Sequence, residues 1–171
     1  VLVGAFELAW KDRVYPGVYI AGLNLEGLTE SQVKEKINAL VEKERQLKIS
    51  FENQNWRLDL DSIELSYQPE KSAQKAITFG REENFAENIY QKINALKEGK
   101  KFDLDFSWNQ EKLDQFVSTI SGQINQKEIP TIITYDQGKL AISQGRLGRT
   151  VAKQGLENLI KQAVAEANFE K

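Results

Sequence analysis

An α+β fold is what this chain predicts, with two similar helix–β-hairpin–helix halves packed into one elongated unit. Three observations carry the prediction. A capping-box helix start stands at Thr29 and Gln32. Residues 47–61 alternate apolar and polar residues around a polar turn, and residues 131–143 read as a second hairpin around Asp136-Gln137-Gly138. Apolar residues recur at helical spacing before and after each stretch. With 171 residues, 40% hydrophobic and 28% charged, the chain can bury a core of its own.

Taken in order, the Pro16-Gly17 turn leads into a short apolar strand at residues 18–21, and residues 23–27 read as a loop. Thr29 caps a helix carrying Val33, Ile37, Leu40 and Val41, with Leu28 and Val33 placed as a hydrophobic staple. The first hairpin sets Leu47, Ile49 and Phe51 inward, turns at Asn53-Gln54-Asn55, and returns with Trp56, Leu58 and Leu60 inward. Pro69 opens a helix with Ala73, Ala76 and Ile77 that stops near Gly80. A further helix with Phe85, Ile89, Ile93 and Leu96 stops at Gly99. A strand then turns Phe102, Leu104 and Phe106 inward. Leu113, Phe116, Val117 and Ile120 mark a helix capped by Ser107 or Asn109. The second hairpin turns at Asp136-Gln137-Gly138, and Leu156, Leu159, Ile160, Ala163 and Val164 mark the last helix. The same order of elements thus occurs at residues 29–80 and 109–167, with little side-chain identity between the copies. No Ser/Gly-rich linker parts them.

Residues 1–10, VLVGAFELAW, are apolar with one charge. They read as the outer end of a membrane anchor or signal segment over 1–13, with Trp10 and Lys11 at the interface. An amphipathic first helix or strand is the alternative. No stretch reaches the roughly 18 to 20 apolar residues of a membrane span. Residues 14–171 are then the folded domain.

Composition removes several chemistries. There is no Cys and no His, so disulfides, thiolate nucleophiles, Cys-based zinc sites and the commonest general base are absent. A formal charge of −2, with Lys and Arg scattered among acids, gives no drive towards nucleic acid. No cofactor or metal is implied, and nothing resembles a P-loop or a Rossmann fingerprint. Ser31-Gln-Val-Lys34 and Ser72-Ala-Gln-Lys75 have the SxxK spacing of penicillin-recognising enzymes. Both fall on expected exposed helix faces, and no KTG strand accompanies them. The pairs Asp59/Asp61 and Asp103/Asp105 share a strand face and could face a hard cation or simply water. Trp56, Tyr67, Trp108 and Tyr135 could form a stacking platform or belong to the core. Gly145-Arg-Leu-Gly148-Arg is the best anion-site candidate, with Arg146 and Arg149 as ligands to carboxylate or phosphate. Phe79-Gly80-Arg81 offers Arg81 in the same way. Against this stands a turn with positive φ at glycine and surface arginines.

The string YPGVYIAGLNLEGLT before a capped helix resembles the opening of the peptidoglycan-binding domain found in bacterial envelope proteins that carry a VanW-type or an L,D-transpeptidase domain. The motifs are Pro16-Gly17-Val18, Gly22-Leu23-Asn24-Leu25 and Gly27-Leu28-Thr29. Trp56-Arg-Leu, Ala76-Ile-Thr-Phe-Gly80-Arg81 and Gly145-Arg-Leu-Gly148-Arg149-Thr-Val151 follow in order. Ala152 stands where the family often places a capping Asp. The resemblance implies a non-catalytic, extracytoplasmic, membrane-anchored module that binds peptidoglycan or positions a neighbouring domain against it. The alternative is a spacer or protein-interaction stalk without glycan affinity.

Overall fold

The structure is a computed structural model that describes residues 8, 10–81, 84–136 and 138–169. Its described residues form nine strands and five helices, an α+β fold. The strands are β1 (Val18–Ile20), β2 (Leu23–Asn24), β3 (Gln46–Phe51), β4 (Gln54–Asp59), β5 (Ser66–Tyr67), β6 (Lys100–Phe102), β7 (Phe106–Ser107), β8 (Ile132–Asp136) and β9 (Lys139–Ser143). The helices are α1 (Glu30–Val41), α2 (Pro69–Thr78), α3 (Phe85–Glu98), α4 (Gln110–Ile124) and α5 (Lys153–Ala165). Two compact units emerge: Val1–Asn109 with Lys161–Lys171, and Gln110–Ile160. This division does not fall between two equivalent halves.

In the first unit, β1 lies between β2 and β6, antiparallel to the former and parallel to the latter. Residues 23–27 were expected as a loop, but Leu23 and Asn24 pair with Ile20 and Tyr19. The intervening Ala21 and Gly22 both have positive φ, 46° and 78°, the pattern of a tight primed hairpin turn. The capping box forms as the sequence predicts. The Gln32 amide N–H donates to Thr29 Oγ1 at 3.4 Å, and the Thr29 amide N–H donates to Gln32 Oε1 at 3.0 Å. Val33, Ile37 and Val41 of α1 and Ala73 and Ala76 of α2 join Val14, Val18, Ile20, Leu25 and Leu104 in the core, with Leu28 packed against it. The expected strand over residues 102–106 is two strands in two sheets, because β6 pairs with β1 and β7 pairs with β5.

The first hairpin turns at Glu52-Asn53, one residue earlier than expected, with Phe51 opposite Gln54. Leu47 faces Leu58, and both are buried. Burial fades towards the tip, where Phe51, expected inward, is exposed.

Helix α3 departs further from its expected orientation. Phe85, Ile89, Ile93 and Leu96 are between 37% and 62% exposed, while Asn88 and Ala95 are its buried residues. The seam is fixed by a close approach: a Cβ on Gly17 would come within 2.0 Å of the Ala95 carbonyl oxygen. Side chains of α3 can therefore lie against the body only beside that contact. Gly17 has no Cβ and adopts a φ of 78°, which only glycine does without strain.

In the second unit, Leu113, Val117, Ile120 and Ile124 of α4 are buried, as is Ile160 of α5, whereas Leu159 is exposed. Asn109 immediately precedes α4, and its side chain amide donates to Glu64. The β8–β9 hairpin is exposed along its whole length. Its ladder continues beyond the named strands in unbroken register. Three residues on from Ile132 and Ser143, Ile129 bridges Arg146, and three further on Gln126 bridges Arg149.

The apolar segment at residues 1–7 and 9 lies outside the described residues. Among the described residues, no helix is long and apolar enough to cross a membrane.

Candidate functional site

A cleft of about 640 Å³ opens in the first unit between the end of α2, one face of α3 and β6. Its size is that of a site for a small ligand. Thr78 and Lys75 line it from α2; Phe79 and Arg81 follow where the chain leaves that helix. Gly80, with a φ of 68°, makes that turn. Asn84 then restarts the helix by accepting from the amides of Ala86 and Glu87 at 3.1 and 3.3 Å. The α3 wall consists of Glu87, Gln91, Asn94 and Glu98, which recur at helical spacing. This is the polar face of an amphipathic helix turned towards a cleft, with its apolar stripe on another side.

Arg81 is anchored rather than loose. One guanidinium nitrogen, Nη2, donates to the Trp10 and Arg13 carbonyls at 2.6 and 2.7 Å. The guanidinium carbon lies 4.3 Å from the centre of the Tyr15 ring. The other nitrogen, Nη1, is buried without a hydrogen-bond partner, and so is Gln91 Oε1. Gln91 Nε2 donates to Glu87 Oε1 at 3.4 Å, which orients the amide. Phe79 and Phe102 pack edge to face at 5.8 Å on the cleft wall, with the Lys100 ammonium 5.1 Å from the Phe102 ring centre.

Arg146 and Arg149 lie in the second unit, on the strand that runs from β9 towards α5. The positive φ weighed for their glycines is not what the fold uses: Gly145 and Gly148 are not among the positive-φ residues. They provide room for strand pairing. A Cβ on Gly145 would meet the Ile129 carbonyl oxygen at 2.5 Å, and one on Gly148 would meet the Glu128 nitrogen at 3.0 Å. Arg149 donates from Nε to the Ile124 carbonyl at 2.9 Å, satisfying the C-terminal end of α4, while Arg146 is exposed. Arg149 also lines a second cleft, of about 680 Å³, with Gln126, Lys127, Glu128 and Leu147.

The other candidates resolve into structural roles. Ser72 was expected on an exposed helix face but is fully buried. Its Oγ accepts from the Asp105 amide at 2.8 Å, and Lys75 pairs with the Asp105 carboxylate at 2.6 Å. The second SxxK site is thus a clamp holding α2 to the segment between β6 and β7. Lys34 of the first SxxK site pairs with Glu30 at 3.3 Å. Asp61 pairs with Arg45, and Asp59 Oδ1 accepts from the Asp61 amide at 3.1 Å. Among the described residues, no group of three or more acids is placed to hold a metal ion. Tyr67, Phe106 and Trp108 pack in series, edge to face and then tilted, with ring centres 6.2 and 5.1 Å apart. The Tyr67 hydroxyl donates to the Val164 carbonyl at 3.2 Å. Burial pushes its phenol well above the ordinary value, with Arg45 nearby opposing the shift. Trp56 is half-buried on β4, and Tyr135 is exposed on β8 of the second unit.

Of the three arginines singled out from the sequence, Arg81 stands in the cleft with unmet bonding capacity. Glu87, Gln91, Asn94 and Glu98 were missed. The available signal was the polar periodicity of α3, which its stronger apolar periodicity obscured.

No curated protein and no solved structure matches the chain. The family model described as "Putative peptidoglycan binding domain" matches residues 56–171. The matched stretch contains the α2–α3–β6 cleft and the Arg146–Arg149 segment, while the Pro16-Gly17-Val18 motif precedes it. Because the match spans more than half of the sequence, the chain belongs to this peptidoglycan-binding domain family.

Proposed function

We propose that the chain is a non-catalytic, extracytoplasmic module that binds peptidoglycan and thereby holds a neighbouring domain against the bacterial cell wall. The family match over residues 56–171 carries this reading. The polar cleft supports it, being of ligand size and lined by amides and charges of both signs. In this reading the neighbouring domain is of the VanW or L,D-transpeptidase type, and residues 1–13, apolar up to Trp10 apart from Glu7, are the outer end of a membrane anchor. The test is co-sedimentation of the purified chain with purified sacculi. Saturable binding that survives 0.5 M salt, a regime in which exposed charges are largely screened, is expected. Recovery entirely in the supernatant would remove the reading.

A specific observation favours the second reading, a protein-interaction stalk. The apolar stripe of α3 and the apolar residues of β8 and β9 are exposed, as interaction surfaces are. A stalk of that kind stays in the supernatant in the same assay.

A further inference from the structure

We propose that the α2–α3–β6 cleft is a peptide subsite that recognises a short peptide through its free carboxylate, rather than a site for the glycan strand. The proposal rests on the wall-binding reading and names the part of the polymer that the cleft takes. Three features point to a peptide. First, Arg81 is held by two backbone carbonyls through Nη2, which leaves Nη1 as a fixed, buried donor without a partner. A charged donor in that state is destabilising until an acceptor arrives, and a carboxylate is the strongest available match. Second, Gln91 lines the same cleft and its Oε1 is a buried acceptor without a partner, so donor and acceptor together suit the carboxylate and amide N–H of a peptide terminus. Third, the aromatic rings lining the cleft are already engaged with each other and with a cation, rather than presented as a platform for a sugar. Phe79 and Phe102 pack edge to face, and the Lys100 ammonium lies 6.0 and 5.1 Å from their ring centres. Glu87 and Glu98 on the cleft wall suit an amine elsewhere on the peptide. Neither Arg81 Nη1 nor Gln91 Oε1 touches bulk water, so binding requires the Gln91 side chain, held by a 3.4 Å bond to Glu87, to turn.

Calorimetry on the whole chain tests this with three probes: the tripeptide Ala-Glu-Lys with free carboxylates, the same tripeptide with both carboxyl groups amidated, and a tetramer of N-acetylglucosamine. The free tripeptide is expected to bind, the amidated form about tenfold or more weaker, and the sugar not at all. Arg81→Ala should abolish tripeptide binding but also loosens the grip on Trp10 and Arg13. Gln91→Leu is therefore the decisive variant. It removes a buried acceptor without a partner, so the unfolding midpoint should hold or rise while tripeptide affinity falls about tenfold. Equal binding of the free and amidated peptides, binding of the sugar alone, or an unaltered affinity in Gln91→Leu would each overturn the proposal. Sedimentation with sacculi separates the two readings. Binding to sacculi without tripeptide binding leaves the wall-binding function standing and the peptide subsite refuted. Tripeptide binding without sedimentation upholds the subsite and removes the wall-binding function.

Discussion

The two β-hairpins read alike and fold into different circumstances. Both pair two antiparallel strands across a short turn, and both set apolar residues opposite one another. In β3–β4 the pair Leu47 and Leu58 is 1% exposed at the base, and the ladder is extended by a bond from the Lys48 amide to the Phe169 carbonyl at 3.0 Å. In β8–β9 the facing pair Ile133 and Ile142 is 63% and 62% exposed. An isolated two-stranded hairpin is at best marginally stable in water. The second one is supported lengthwise, by the continued pairing through Ile129–Arg146 and Gln126–Arg149. Facing apolar pairs therefore announce a hairpin, and the presence of a neighbouring layer decides whether they become core.

The widest gap between the hairpins should appear on truncating one residue in each. Leu58→Ala should destabilise the first unit by about 2–5 kcal/mol, whereas Ile142→Ala should stay within about 0.5 kcal/mol. Urea unfolding followed by Trp fluorescence and far-UV circular dichroism measures both, and comparable losses would erase the distinction. Next in size is Gly145→Ala, which drives a methyl group into the Ile129 carbonyl at the base of the second hairpin. A loss of about 1–3 kcal/mol is expected, read as faster amide exchange at Ile129 and Arg146. If exchange there does not change, the extended ladder is not what supports the ribbon.

The tips should respond with opposite signs. Glu52 sits at a φ of 51° and Gly138 at 78°. Glu52→Gly should stabilise the first hairpin by about 0.5–1 kcal/mol, and Gly138→Ala should destabilise the second by about 1 kcal/mol, because the left-handed region favours glycine. Shifts of the same sign in the two unfolding midpoints would contradict this. The smallest effect belongs to alkaline pH and to the first unit, where Tyr67 is buried. Its folded phenol lies above the ordinary value of 10.0. The folded state thus holds the proton more tightly, and this contribution is fully present below pH 10 and declines as pH rises above it. Comparing urea midpoints at pH 9 and 11 should show a smaller decline in Tyr67→Phe than in the parent chain. Equal declines would exclude Tyr67 as a source.

Local features were legible from sequence because their partners lie within a few residues. The Thr29–Gln32 capping box, the Pro69 helix start and the Gly99 helix stop all formed where expected. The α3 periodicity was equally legible, yet it suggested the wrong side for burial. A helix has one apolar face whether or not anything packs there, and the Gly17–Ala95 contact turned that face outward. The same contact placed Glu87, Gln91, Asn94 and Glu98 on the cleft wall, where no local pattern marks them as a site. Ser72 was misjudged for a related reason. A serine on a helix looks exposed until its partner is known, and Asp105, 33 residues away, supplies that partner.

By itself, then, the sequence determined most of the element types and ends, the absence of cysteine and histidine chemistry, and the motifs of the family. These depend on backbone preference, spacing and composition, all of which are carried by near neighbours along the chain. Only the tertiary structure decided which hairpin has a core, which face of α3 meets the body, and that Arg81 alone among the candidate arginines is anchored with a nitrogen left unpaired. Burial and unmet hydrogen bonding arise between residues far apart in sequence, and only the folded chain brings those residues together.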